Sequence, residues 1–414
     1  MTQLEAITTK RTSVLLSHPV HQHAYEAAVA AQEAGQLHAF LTGFYRTGNG
    51  ISSDNVLRLL PRGARARADA LLGRRWHPQL DPRDVHLLGT WRFAVAKVAG
   101  RVPTISDRRM QDWAFDRFDH AAAKWLERAP IPTAIHGFEG SALRLLLAGR
   151  RLGIRTILDA PSAHEIFSRI ELEAGADPRL TLRTTERVRA ERAAADVILA
   201  PSDFVVDQLI MAGVNASRIV KIPYGGVVGP QRAKRLSNSF TALFVGRVCE
   251  RKGVADLIDV WKRFDRHPSR LVVVGAITSE AAAWVHESAP GIDFRGHLSG
   301  ADLAQAYADA DVFVFPSRAE ASARVVYEAM AEGLAVVTTI EAGSVVTNGV
   351  DGIVIEAQNR EGLLLSLRHL FDQPAQAAQM GAAARATIED KYTWANYRRK
   401  VAELYQDVSS QPLR

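Results

Sequence analysis

Between Asp311 and Thr339 the chain reads DVFVFPSRAEASARVVYEAMAEGLAVVTT, and its apolar runs restrict it to a parallel α/β arrangement. Val312-Phe313-Val314-Phe315 is too short, and too rich in β-branched and aromatic residues, for a helix. It reads as a strand buried on both faces. Pro316 and Ser317 stop it. From Ala323 to Glu332 the period turns helical, with Val325, Val326, Ala329 and Met330 on one face, and Gly333 marks the end. Leu334 to Thr339 is a second strand. Strand, loop, helix and strand form the unit of a doubly wound sheet, which binds ligands at the carboxyl ends of its strands.

Two carboxylates fall at those ends. Glu320 lies in the loop, and Glu328 lies eight residues later inside the helix. A carboxylate accepts from two hydroxyls at once, as a sugar or ribose diol requires. Ser322 and Ala323 stand where the helix begins, and a helix start offers free amides and a positive dipole end to phosphate. The stretch can therefore hold a sugar, a ribose and a diphosphate together. The plainer alternative is a solvated helix residue and a loop charge.

The same βα alternation runs through most of the chain. Val14 to Ser17, Leu37 to Tyr45, Ala134 to Phe138, Ile154 to Leu158, Ala194 to Ala200 and Ile219 to Pro223 read as strands, with helices between. The last of these runs into Tyr224-Gly225-Gly226, read as a flexible exit. Val227 to Ser239, rich in glycine, proline, serine and basic residues, reads as a linker. Phe240 to Val245 opens a second set of strands. At 414 residues two cores are expected, with boundaries at 1–226, 227–239 and 240–393, and a last helix from Trp394 onward.

Several classes are excluded. No Gly-x-Gly-x-x-Gly follows the first strand, which argues against a nicotinamide dehydrogenase. The single cysteine, Cys249, excludes an internal disulfide and a cysteine-cluster metal site. No apolar run approaches the ~20 residues of a membrane span. The first residues read as a strand and not as a signal peptide, and the expected compartment is the cytoplasm. A net charge of +6 suits nucleic acid, an anionic membrane or a phosphorylated substrate. No nucleic-acid module is visible. Arg58, Arg62, Arg65, Arg67, Arg74, Arg75 and Arg83 cluster within 26 residues, either as a solvated face or as a contact to the inner face of the cytoplasmic membrane.

Further site candidates sit at other strand ends. Gly246 to Gly253 follows the strand Phe240 to Val245, and its Arg247 and Lys252, five apart before a helix start, make an anion site. His21 and His23 follow the first strand, where they either do polar work or cap the helix. His136 lies at the end of its strand. Asp159 to Glu165 reads as a polar loop.

The central stretch resembles the donor-site signature of retaining nucleotide-sugar glycosyltransferases of the GT-B fold, family four (glycosyl transferases group 1). The resemblance rests on Pro316-Ser317, Glu320, Glu328-Ala329-Met330-Ala331, Gly333 and Val336-Val337, and extends to the run PSDFVVDQLIMAGVNASRIVKIPYGG. Where the family has Gly-Phe-Gly, this chain has Ala321-Ser322-Ala323, small residues that still allow close backbone approach. The resemblance implies two Rossmann-like domains facing across a cleft. It implies transfer of a hexose, with retention, from a UDP- or GDP-sugar to a carbohydrate or lipid-linked acceptor in polysaccharide or glycoconjugate biosynthesis. Arg247 and Lys252 would neutralise the diphosphate, Glu328 would hold the ribose and Glu320 the sugar hydroxyls, beside Ser322 and Ala323. His136 and His164 would stand at the cleft, with Asp159 the alternative to His164. Residues 48 to 130 would supply the acceptor side, and the final helix would cross back to the first domain. No metal is expected, since two cations would already meet the diphosphate, and no cofactor beyond the donor itself. The alternatives are a sugar-nucleotide epimerase of the same fold and a non-catalytic binding module of an assembly complex.

Overall fold

A computed structural model describes residues 11–20, 23–45, 76–89, 107–173, 175–230, 239–286 and 290–410. They form two parallel sheets with helices on both faces. The first sheet contains β1 (Val14–Ser17), β2 (Leu37–Thr42), β3 (Val85–Leu87), β4 (Ala134–Phe138), β5 (Arg155–Asp159), β6 (Val197–Ala200) and β7 (Ile219–Lys221). Their order is β3-β2-β1-β4-β5-β6-β7. The second contains β8 (Phe240–Val245), β9 (Ser269–Val274), β10 (Ile292–Gly296), β11 (Val312–Phe315), β12 (Ala335–Thr339) and β13 (Gly352–Ile355), in the order β10-β9-β8-β11-β12-β13. The strand order reverses between β1 and β4 in one sheet and between β8 and β11 in the other. Such switch points open a crevice at the carboxyl ends of the strands.

The helices of the first domain are α1 (Ala24–Glu33), α2 (Asp107–Leu126), α3 (Leu143–Arg151), α4 (His164–Glu173), α5 (Pro178–Ala194) and α6 (Asp203–Met211). Those of the second are α7 (Val254–Lys262), α8 (Ala282–His286), α9 (Gly300–Ala308), α10 (Arg324–Ala331), α11 (Arg360–Asp372) and α12 (Pro374–Lys391), followed by α13 (Trp394–Ser410). Local chemistry sets their starts. Asp177 caps α5 by accepting from the Arg179 amide at 3.0 Å, and Pro178 occupies the first turn, where its missing N–H is no loss. Strand β11 is fully buried along its length. Burying each side chain of this size contributes ~1.5–3 kcal/mol, so the loop after it starts from a firm base.

Helix α13 returns to the first domain. It packs on α1 and reaches β4, and Ser409 Oγ lies 3.0 Å from Thr133 Oγ1. The Gln36 side-chain amide donates to the Ala402 carbonyl at 3.3 Å. The exit at Tyr224-Gly225-Gly226, expected to be flexible, is instead pinned under this helix. The Gly226 N–H donates to the Tyr392 carbonyl at 2.7 Å. A Cβ on Gly225 would run into the backbone of Thr393 and Trp394, so glycine is needed there for close approach.

Element ends moved by a few residues from the sequence expectation. The stretch Asp159 to Glu165, expected as a loop, is the last strand residue, a short turn and the first residues of α4. Arg58, Arg62, Arg65, Arg67, Arg74, Arg75, His21, the turn at 48–50 and the linker centre at 231–238 lie outside the described residues. Arg83 is exposed and grips Asp81 at 2.6 Å. Among the described residues no helix is long and apolar enough to cross a membrane.

Candidate active site

The loops after β8 and β11 are neighbours because these strands pair directly at the switch point. Gly253, at φ +69°, ends the first loop, and a Cβ there would overlap the Pro316 carbonyl of the second. The two loops are thus packed backbone to backbone. Further ties fix them: the Arg318 N–H donates to the Arg251 carbonyl at 2.9 Å, and the Ser317 hydroxyl donates to the same carbonyl at 3.1 Å. The Glu320 N–H donates to the Glu341 carbonyl at 2.7 Å.

On this base Glu320 accepts from both Lys252 and Arg251 through one carboxylate oxygen. Lys252 Nζ also lies 5.0 Å from the centre of the Phe315 ring. Burial pushes the Lys252 ammonium down from its usual value, and the Glu320 carboxylate pulls it back. Arg251 bridges the domains, with its guanidinium 5.2 Å from the ring centre of Phe167 on α4. The expected cation pair is therefore only partly assembled. Lys252 is in place, while Arg247 is exposed and makes no ion pair among the described residues. Arg251 is the arginine on the carboxylate, and the sequence reading missed it. Its signal was the dense turn Glu250–Lys252 against Gly253, which brings two adjacent cations to one carboxylate.

Glu328 projects from α10, half-buried, and accepts from the Tyr307 hydroxyl at 3.1 Å. Burial raises its carboxyl above the usual range, opposed by Arg324 and Tyr307. Ser322 lies 3.0 Å, hydroxyl to hydroxyl, from Tyr327. The Ala323 amide, expected among the free donors, is spent on the Ala342 carbonyl at 3.1 Å because the loop from β12 folds back over it. Ile277, which follows β9, is exposed and bridges to Val248 beside this face.

The first domain places its candidates differently. His136, expected at the cleft, is fully buried: its Nδ1 lies 2.7 Å from the Tyr405 hydroxyl of α13, and its ring stacks on Phe138 at 4.8 Å. His136 is the middle residue of β4, within the sheet, and the returning helix packs over it, which is why the expectation fails. His164 opens α4 and turns onto α5, with Nε2 3.1 Å from Thr185 Oγ1 and 3.2 Å from Ser168 Oγ. Burial lowers its imidazole to about 4, so it is neutral near pH 7. Asp159, its alternative, is buried with His23 Nε2 at 2.8 Å and His136 Nε2 at 3.6 Å. Burial alone would raise this carboxyl, but His23 and His136 hold it well below the usual range. His23 makes no side-chain cap on α1. Its ring instead faces Tyr224 at 4.4 Å. Among the described residues no cluster of three or more His, Cys, Asp or Glu side chains could hold a metal ion.

Residues 239–373 match the family described as glycosyl transferases group 1. A GDP-mannose-dependent alpha-mannosyltransferase of Corynebacterium glutamicum is 30% identical over 228 residues, 51% of this chain and 52% of that protein. A glycogen synthase of Mycobacterium tuberculosis is 32% identical over 171 residues, 39% of this chain and 41% of that protein. The chain thus spans about half the length, or less, of these curated relatives. The solved structure of a sucrose-phosphate synthase from Thermosynechococcus elongatus superposes with a TM-score of 0.67 at 17% identity, covering 96% of this chain and 99% of the other. Anabaena HepE in complex with UDP-glucose superposes at 0.62 with 15% identity, covering 95% and 99%. At such identities the likeness speaks to the fold alone: two Rossmann-like domains in the GT-B arrangement.

Proposed function

Taking as premise that this GT-B chain carries a second domain of the glycosyl transferases group 1, we propose that it moves a hexose from a nucleotide-diphosphate donor to an acceptor hydroxyl, with retention of configuration, in polysaccharide or glycoconjugate biosynthesis. The observation that carries the reading is the convergence of Lys252, Arg251 and Glu320 at the β8/β11 switch point, one helix away from Glu328. As the sugar–phosphate bond breaks, negative charge grows on the departing diphosphate. Lys252 and Arg251 are held where they can meet it, and preorganised charge of this kind is a large catalytic term. Arg247, exposed at the loop's outer edge, is free to close on the phosphates when they arrive.

Glu320 has two duties in this reading. Without donor it keeps two cations from repelling each other in a half-buried site. With donor, the phosphates take over the cations, and the carboxylate accepts from sugar hydroxyls. Glu328 accepts from the ribose diol, with Tyr307 orienting it through the other side of the carboxylate. The Arg324 and Val325 amides, at the start of α10, supply the helix-terminal contribution that the engaged Ala323 amide does not. The relatives' printed names include a GDP-mannose-dependent enzyme, and the HepE structures hold UDP. Both bases therefore belong in the trial.

The test is release of free nucleotide from UDP-, GDP- and ADP-hexoses by the whole protein, followed by mass spectrometry of products. Turnover of one donor, lost in Glu320→Gln, supports the reading. Conversion of a donor into its epimer, with no sugar transferred, would overturn it in favour of an epimerase.

A further inference from the structure

A cavity of about 750 Å³ lies in the first domain between α2, α5 and the loops after β4 and β5. Glu139 and Gly140 follow β4, Ser162 follows β5, and all three line it. It thus opens at the carboxyl edge of the sheet, where α/β sheets bind ligands. Polar pairs prop its walls apart: Arg109 meets Asp177 at 2.6 Å, Arg187 meets Asp119 at 2.8 Å, and the Thr184 hydroxyl approaches Asp112 at 3.5 Å.

The charges of this cavity do not cancel. Its acids are mostly committed: Asp177 to Arg109, Asp116 to Arg144 and Arg187, and Glu139 to Arg192 at 2.7 Å. Among the described residues Asp112 makes no ion pair, and burial raises its carboxyl above the usual range, with Arg108, Arg187 and Arg183 opposing. On the other wall Arg179 and Arg183 stand one turn apart on α5, both exposed, with no side-chain hydrogen bond or ion pair among the described residues. Trp113 and Phe115 of α2 also line the cavity, half-buried, together with Leu143, Leu180 and Val188. Guanidinium groups suit carboxylate and phosphate geometry, and half-exposed aromatic rings suit the apolar face of a sugar.

The cavity also adjoins the donor face. His164 lines it, and Phe167, one turn along α4, carries Arg251 over its ring. We propose that this cavity, held between α2 and α5, binds an anionic saccharide, a sugar bearing a phosphate or carboxylate, as the acceptor. Arg179 and Arg183 grip the anion, Trp113 and Phe115 support the ring, and Asp112, Thr184 and Ser162 meet its hydroxyls. The assignment as acceptor rests on the transferase reading above; the binding itself does not.

The test is saturation-transfer NMR titration of the whole protein with glucose 6-phosphate, methyl α-glucuronide, methyl α-glucoside and inorganic phosphate. A charged sugar should bind about tenfold more tightly than the neutral one, the worth of one charge-assisted contact. Arg179→Ala/Arg183→Ala should remove that preference without moving the thermal midpoint. Which charged sugar binds names the anion. Equal binding of methyl α-glucoside, survival of the preference in the double variant, or phosphate alone binding as tightly as glucose 6-phosphate would each overturn the proposal. Nucleotide titration of the same samples separates the two ideas. Loss of all nucleotide binding would sink the transferase reading while leaving an arginine-dependent saccharide site standing.

Discussion

Glu320 and Asp159 occupy like places in the two sheets. Each sits at the carboxyl edge of its sheet, Glu320 in the loop after β11 at the switch point and Asp159 at the end of β5, one strand from it, and each lies between two basic side chains: Lys252 and Arg251 for one, His23 and His136 for the other. Their surroundings separate them. The side chains around Glu320 keep 14–31% of their surface exposed, enough for a ligand to displace one partner. Asp159 and its histidines keep 0–5%, closed off by Tyr224, Tyr397 and Tyr405. In the proposed function one arrangement exchanges its partner for a ligand. The other fastens the returning helix α13 to the first domain, and what decides between them is whether the chain lays another element over the strand end.

The largest expected effect breaks the buried member. Asp159→Ala leaves two histidines sealed without their carboxylate, and should lower stability by ~3–5 kcal/mol in urea unfolding. A loss under ~1 kcal/mol would mean that the cluster holds nothing together. Lys252→Ala acts on the other side of the comparison. It should lower donor turnover by ~10²–10³, with an unfolding midpoint close to that of the wild type. A fall in stability without a fall in turnover would reverse the roles assigned to the two clusters.

His164 sharpens the contrast through pH. Its folded imidazole titrates at about 4 against 6.5 unfolded, so the stability it contributes is complete above pH 6.5 and is lost as pH falls towards 4. The full loss is of order 3 kcal/mol. His164→Gln should flatten this limb in unfolding curves recorded across that window, and an unchanged slope would show that the imidazole is not held neutral. The smallest effect is that of Tyr405→Phe, which strips the partner from His136 Nδ1 and should cost about 1 kcal/mol of stability while leaving donor turnover alone.

Legibility in the sequence divides along the same line. The loop and helix after β11 were readable as structure because their parts are contiguous: an apolar run of four, a proline-serine stop, and two glutamates eight apart in one βα unit. Yet Arg251, which meets Glu320 beside Lys252, was not singled out, since spacing along a loop does not say which side chain a tight turn aims at a carboxylate. The buried cluster gathers His23, His136, Asp159 and Tyr405 from four separate segments, and no local period connects them. His136 was read as the end of its strand but is the middle residue of Ala134–Phe138, and the helix that covers it begins only at Trp394. The cavity between α2 and α5 was equally hidden: its arginines lie on α5 and its aromatic residues on α2, more than sixty residues apart in the chain.

In the proposed function nucleotide binds on the second domain between Glu320 and Glu328, and the Asp159 cluster serves only to hold the fold. Calorimetric titration of UDP, GDP and ADP into the wild type, Glu328→Ala and Asp159→Ala, at a temperature where all three are folded, tests it directly. The account predicts that one nucleotide binds the wild type, binds Asp159→Ala with the same affinity, and binds Glu328→Ala at least ~10-fold more weakly, as loss of a charge-assisted hydrogen bond requires. Equal binding to Glu328→Ala, or binding lost in Asp159→Ala alone, would contradict it.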